Sequence, residues 1–170
     1  MTVRRLLPSD AEQFQSVRLC GLQECPSAFA SSHEEEVGTP LEVVAQRLAH
    51  KPDGAIFGWF AGPALRGVVG VQREGMSKLA HKAYIWGMYV APDARRSGVG
   101  QELLVHALAY ARDELGVRQV NLGVNTQNAA AISLYRRVGF EVYGTEREFL
   151  LVDGVLHDEH HMVCQVRSAT

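Results

Sequence analysis

The sequence predicts an α/β (α+β) sandwich, a mixed sheet with helices on both faces. Strand-like runs and longer segments of helical periodicity follow one another in the order βααβββαβαββ, which suits a helix-covered sheet rather than a bundle or barrel. The stretch "HKAYIWGMYVAP" is apolar on both alternating faces. Tyr84, Trp86, Met88 and Val90 share one face, and Ala83, Ile85, Gly87 and Tyr89 the other, so the strand belongs mid-sheet with helices covering both sides. At 170 residues and 46% hydrophobic content, the chain is expected to bury its core as one domain, residues 1–170.

The elements follow in order. Val3 to Leu7 reads as a first strand. "PSDAEQFQSVRLCGLQECP" reads as a helix capped by Ser9 or Asp10, with Phe14, Val17 and Leu22 among its apolar positions and Pro26 as its stop. "SAFASSHEEEVGTP" is a connection rich in small and acidic residues, and a second helix is expected near Leu41 to Ala49. "AIFGWFA" and "LRGVVGVQ" are strands joined at Gly62-Pro63, a hairpin signal. After the central strand, Leu104, Leu108, Ala111 and Leu115 recur at helical spacing, and Gly116 supplies the stop. "VRQVNLGV" is a strand, and "NTQNAAAISLYRRVGF" a helix closed by Gly139. Two final strands flank Asp153-Gly154, a dipeptide suited to a tight turn.

Composition narrows the function. A formal net charge of −2 with interspersed signs argues against a nucleic-acid binder working by bulk electrostatics. The N-terminal "MTVRRLLPSD" lacks the apolar run of a signal peptide, and no stretch is long and apolar enough to span a membrane. Cys20, Cys25 and Cys164 lack metal-type spacing and read as reduced core thiols, so a cytoplasmic protein is expected.

The informative junction is "ARRSGVGQELL". A strand ends at Val90, Pro92 turns the chain, and a helix begins around Gly98. The first four amides of a helix have no partner within it, and the macrodipole places partial positive charge there. Gly98 and Gly100 remove side chains, while Arg95 and Arg96 add formal charge, so a phosphate is the natural guest. A P-loop would need Lys and Ser or Thr where Gln101 and Glu102 stand, and a dinucleotide fingerprint a glycine at Leu103. Both nucleotide readings fail. A plain glycine turn with two solvated arginines is the other reading of the junction alone.

A second segment lies about thirty residues on: Asn128, Ala131, Leu134-Tyr135 and Gly139-Phe140, behind a strand ending in "GVN". Together the two segments resemble the GNAT superfamily of acetyl-CoA-dependent N-acetyltransferases. Arg95-Arg96-Ser97-Gly98-Val99-Gly100 matches that family's phosphate loop, and Asn128 through Phe140 its later segment. "MYVAP" is similar to its central strand, and Arg96 stands where many members carry glycine.

The resemblance implies a mostly antiparallel sheet with one splayed parallel pair. It implies acetyl-CoA as acyl donor, with the pyrophosphate on the loop from Arg95 through Arg96, Ser97, Gly98, Val99, Gly100 and Gln101. The pantetheine arm would pair with the main chain near Met88 and Val90, and Asn128 would bond it from the far side. A backbone N–H near Met88 or Tyr89 would polarise the thioester carbonyl. Tyr135 would protonate the departing thiolate, although its place on an apolar helical stripe also suits a plain core residue. Phe29 and Trp86 would wall the acceptor pocket or serve as core aromatics. Candidate bases are Glu24, the Glu34-Glu35-Glu36 run, Glu148 and the acids near His157, with none singled out.

"HDEHH" puts His157, Glu159 and His161 on one strand face, a zinc pattern only if three splayed side chains converged. A polar edge strand is the preferred reading, and the chemistry needs no metal. The expected partner is a small-molecule or peptide primary amine, with no nucleic acid and no membrane, and the resemblance leaves a homodimer open. Acetylation of a protein N-terminus or lysine, and a non-catalytic acyl-CoA-binding module, are the alternatives.

Overall fold

The structure, a computed structural model, describes residues 1–166, so the last four residues of the expected domain lie outside the described residues. The described residues form seven strands: β1 (Thr2–Arg5), β2 (Gly54–Ala61), β3 (Ala64–Arg73), β4 (Lys82–Val90), β5 (Gln119–Asn125), β6 (Glu141–Val152) and β7 (Val155–Gln165). The α-helices are α1 (Ala11–Glu24), α2 (His33–Glu36), α3 (Leu41–Leu48), α4 (Val99–Asp113) and α5 (Ala129–Arg137). The strands form a single sheet in the order β1-β2-β3-β4-β5-β7-β6. Neighbours are antiparallel except β4 and β5, which run parallel. No described helix is long and apolar enough to cross a membrane.

The sheet divides the core in two. On one face α4 lays Leu103, Leu104, Ala107 and Ala111 against Val69, Val71, Ala83, Ile85, Val120 and Leu122. On the other, Phe14 of α1 and Val44 and Leu48 of α3 cover Ile56, Phe60, Val68 and Tyr89. Burying each of the leucine, isoleucine, valine and phenylalanine side chains contributes roughly 1.5–3 kcal/mol, so the two layers hold the sheet's faces firmly.

Several expectations need correction. The first strand stops at Arg5, because Pro8 opens a 3-10 turn at residues 8–10. Asp10 holds the cap position of α1, but its carboxylate accepts two 2.8 Å bonds from Arg4 and one of 2.7 Å from the Leu7 amide, tying β1 to α1. The acidic connection contains a helix, α2, that the periodicity did not show. Ser32 caps it, accepting from the Glu35 amide while Glu35 accepts from the Ser32 amide.

The face assignment of the central strand also changes. β4 lies mid-sheet, but its alternation breaks at Gly87, which takes φ +62°. Gly70 pairs with Trp86 and Val68 with Tyr89, so two residues of β4 face Val69 alone. Past this bulge the faces swap: Ala83 and Ile85 pack toward α4, whereas Tyr89 packs toward α1. Tyr84 and Trp86 are left exposed rather than covered. Trp86 lies flat across Gly70, where any Cβ would collide with the indole.

Finally, β7 is not an edge strand. It pairs with β5 along Gln119–Asn125 and with β6 on its other side, and β6 is the edge. Its polar side chains find cross-strand partners instead of solvent: His160 with Thr145 at 2.8 Å, His161 with Glu146 at 3.1 Å, and His157 with Asn125 at 3.2 Å. The turn between β6 and β7 has positive φ at both Asp153 (49°) and Gly154 (78°), matching the right-handed twist of the flanking strands.

Candidate active site

The parallel pair β4–β5 is joined at three positions, ending at Tyr84 opposite Asn121. Beyond that point the strands diverge. The gap opens into a cleft of about 560 Å³, bounded by both strands, by the start of α4 and by α5. Of the residues expected to bind donor or acceptor or to act as the acid, all but Ser97 line it: Phe29, Trp86, Met88, Tyr89, Val90, Arg95, Arg96, Gly98, Val99, Gly100, Gln101, Asn128 and Tyr135; none of the candidate bases does. The Ser97 hydroxyl instead donates to the Ala94 carbonyl at 2.8 Å, holding the turn.

At the wide end the chain passes through a 3-10 turn at Pro92–Ala94 and then bends sharply. Arg96 (φ +62°) and Gly98 (φ +87°) both take left-handed conformations. The glycine does so freely, whereas Arg96 carries a Cβ penalty of about 1–2 kcal/mol. The bend delivers the chain into α4, whose first internal bond runs from the Glu102 amide to the Gly98 carbonyl. Among the described residues, none of the six amides from Arg96 to Gln101 has an acceptor. Those donors sit at the positive end of a 15-residue helix, an arrangement suited to a di-anionic phosphate group. Gly100 completes the approach: a Cβ there would lie 2.8 Å from Leu134 of α5 and 3.4 Å from Met88.

Arg95 is less free than its place in the loop suggests. Its Nη atoms each donate to Glu24 at 2.8 Å, and its Nε donates to the Val90 carbonyl at 2.9 Å. Glu24 also accepts from the Tyr89 hydroxyl at 2.5 Å. Arg95 and Tyr89 together hold the Glu24 carboxyl below its ordinary range, while burial and then Glu24 push the Tyr89 phenol up. The C-terminus of α1 is thus latched to the loop. A carboxylate so committed is a poor base, and the Val90 carbonyl is taken by Arg95 rather than open to a ligand.

Asn128 marks the start of α5, three residues later than the sequence suggested. Its Oδ1 caps the helix by accepting from the Ala131 amide at 3.2 Å, so Nδ2 alone remains to face the cleft. About two turns further along α5, the Tyr135 ring meets Phe140 edge-on, with centroids 5.9 Å apart. It is therefore both a core residue and a cleft residue. Its hydroxyl has no partner among the described residues, and burial pushes the phenol up to about 12. It stays protonated throughout the neutral range and can donate.

Other residues here escaped sequence reasoning. Asn125 is 8% exposed and lines the cleft. Its amide donates to the Ser27 carbonyl at 3.1 Å and its oxygen accepts from the Gln127 amide at 2.9 Å. A buried asparagine closing a strand was the available signal. Arg137, in the last turn of α5, and Cys25 also line the cleft. The "HDEHH" strand lies behind it: the Glu159 side chain covers Gly123, a cleft residue, and burial raises its carboxyl despite the opposing pull of His161. Of the suggested bases, Glu36 is nearly buried and paired with Arg18. Burial lifts its carboxyl, but the Arg18 hydrogen bonds and charge outweigh that, with net lowering.

Comparison with known proteins agrees with this geometry. The profile of the Acetyltransferase (GNAT) family matches residues 22–140. The mycothiol acetyltransferase of Salinispora arenicola is 36% identical over 118 residues, covering 66% of this chain and 38% of that protein. The chain therefore spans well under half the length of that relative. The N-alpha-acetyltransferase RimI of Mycobacterium tuberculosis is 36% identical over 133 residues, covering 78% of this chain and 80% of its own. Among solved structures, a GNAT-family acetyltransferase from Streptococcus pneumoniae superposes with a TM-score of 0.84 at 21% identity, over 96% of this chain and 98% of that one. The structure of yncA from Salmonella typhimurium with acetyl-CoA gives 0.81 at 19%, over 100% of this chain and 96% of that one. Those two likenesses bear on the fold, while the family profile and the RimI match bear on descent. The chain belongs to the GNAT acetyltransferase family.

Proposed function

We propose that the protein is an acetyl-CoA-dependent N-acetyltransferase that moves acetyl to the primary amine of a small molecule or peptide, by direct attack within a ternary complex. One observation carries the reading: a six-amide anion cradle and a protonated, unpartnered phenol open into the same cleft. A thioester with a diphosphate tail is a donor that uses both ends. The free amides from Arg96 to Gln101 would receive the pyrophosphate, and Met88 and Asn128 Nδ2 would flank the arm.

In the reaction a C–N bond forms at the acyl carbon and the C–S bond breaks. Tyr135 gives its proton to the departing thiolate, and the amine loses one to solvent or a nearby base. An ordinary thiol titrates near 8.5, so donation from the Tyr135 phenol is uphill for a solvated thiolate; the burial that raises the phenol raises a thiolate beside it too. The amine must attack unprotonated. That costs about 4.6 kcal/mol at pH 7 for a lysine-like amine and about 1 kcal/mol for an α-amine, which favours the latter in a cleft whose nearest acids are already paired. The name of the M. tuberculosis relative, an N-alpha-acetyltransferase, points the same way. Three free cysteines fit a reducing compartment such as the cytoplasm.

Thiol release across a panel of amines, amino-acid amides, polyamines and peptides tests this. With a responsive amine, Tyr135→Phe is expected to lower kcat about 100-fold while acetyl-CoA affinity changes less than about two-fold. Unchanged turnover would remove Tyr135 as the acid. Acetyl-CoA binding without transfer to any amine would favour the non-catalytic module instead.

A further inference from the structure

Behind two residues of the cleft wall, Phe29 and Gly87, lies a cation that no motif announces. Arg18 sits midway along α1 with its side chain only 12% exposed. Its Nε and Nη2 donate to Glu36 of α2 at 3.2 and 2.8 Å, and its guanidinium lies over the Phe29 ring at 5.0 Å. The remaining nitrogen, Nη1, has no acceptor among the described residues. It reaches to 3.5 Å from where a Cβ of Gly87 would stand, at the bulge of β4. Gly87 and Phe29 both line the cleft. Thus a largely buried guanidinium, fixed by an ion pair and an aromatic ring, directs unused donors toward the backbone where β4 breaks its pairing.

Such a donor is costly to leave idle in a site from which substrate excludes water. Glu36 pairs with this charge while also meeting Arg47 at 3.8 Å, so the unpaired N–H groups suit an oxygen acceptor, whether a neutral carbonyl or a carboxylate. Resting on the acetyl-transfer reading above, we infer that Arg18 is a specificity residue. It accepts a carbonyl oxygen carried next to the reacting amine, so the acceptor class is α-amino carbonyl compounds (amino-acid amides and peptide N-termini) rather than simple alkylamines or polyamines. In that class the N–Cα–C angle fixes the distance from nitrogen to carbonyl carbon, so the oxygen always lies close to the amine. A donor at the bulge then orients the nitrogen toward the acyl carbon. Phe29 and Trp86 would border the substituent.

The test compares alaninamide with isopropylamine, which share the amine and the methyl branch and differ in the carbonyl. kcat/KM is measured for both and expressed per unprotonated amine. Wild type is expected to prefer alaninamide about ten-fold or more, the range of a hydrogen bond to a charged donor. Arg18→Gln should lower kcat/KM for alaninamide by a similar factor and leave isopropylamine within about two-fold. Because Arg18→Gln leaves Glu36 with only its longer ion pair, to Arg47, the paired variant Arg18→Gln/Glu36→Gln, with acetyl-CoA affinity by calorimetry, checks that the cleft remains formed; the same loss of discrimination is expected there. An equal fall for both amines would assign Arg18 to the acyl carbonyl, and an unchanged ratio would assign it to packing; either overturns the inference while leaving acetyl transfer intact. No transfer to alaninamide by wild type while another amine of the panel responds would also overturn the inference, whereas no transfer across the whole panel would overturn the underlying activity instead.

Discussion

The two halves of the cleft are built by different means. The half formed by α4 and α5 is made of main chain: six open amides, two left-handed residues and a glycine without room for a Cβ beneath Leu134. The half backed by α1, α2 and β7 is held by side chains that reach across the fold. Arg18 reaches Glu36, Asn125 reaches Ser27 and His157, and Glu159 covers Gly123. A site of backbone demands particular small residues at fixed spacing, so it is written locally. A site of long side chains can be assembled from many sequences, because only the folded distances matter.

This contrast can be broken from either side. The largest effect is expected at the main-chain half. Gly100→Val places a branched side chain where even one Cβ meets Leu134, and should weaken acetyl-CoA binding about ten-fold to a hundred-fold by calorimetry, with the acceptor wall unaltered. Retained affinity would mean that the approach of α4 to α5 is looser than described.

The latch between the halves should give a smaller effect that depends on pH. Glu24 is held below its ordinary range by Arg95 and Tyr89, so its contribution is fully present above the unfolded carboxyl pKa, near 4.3, and is lost as pH falls through the lower folded value. Its side chain is 37% exposed, and solvent screening keeps the contribution to about 1 kcal/mol or less. Glu24→Gln should therefore melt slightly below wild type at pH 7, with the difference shrinking toward pH 3. A gap that persists at low pH would mean that the carboxylate's charge is irrelevant to the latch.

The smallest change sharpens the loop itself. Arg96→Gly relieves a left-handed Cβ and should raise stability by up to about 1 kcal/mol, since glycine's extra freedom in the unfolded chain offsets part of the relief. It should also flatten the salt dependence of acetyl-CoA binding by removing one charge. A loss of stability would show that the arginine has a partner worth more than the strain.

The same contrast explains what the sequence made legible. The turn into α4 and the Asn128–Phe140 segment were readable as structure because they rest on backbone, caps and spacing. The β4 bulge was not, because Gly87 in an apolar run looks like any strand glycine until its partner Val69 faces two residues. β7 looked like an edge because its histidines and acids suit water, and only cross-strand pairing with Thr145, Glu146 and Asn125 shows how they are satisfied. The glutamate run resembled solvated surface, yet one of its three members, Glu36, turns inward to Arg18 through a helix just four residues long. Nothing within a local window separates that glutamate from its neighbours.

Amide chemical shifts recorded during titration with coenzyme A would test the central claim most directly. If the turn into α4 holds the diphosphate, the largest perturbations fall on the backbone N–H groups of residues 96 to 101, and Gly100→Val suppresses them. Tight binding that leaves those six resonances unmoved would contradict the account.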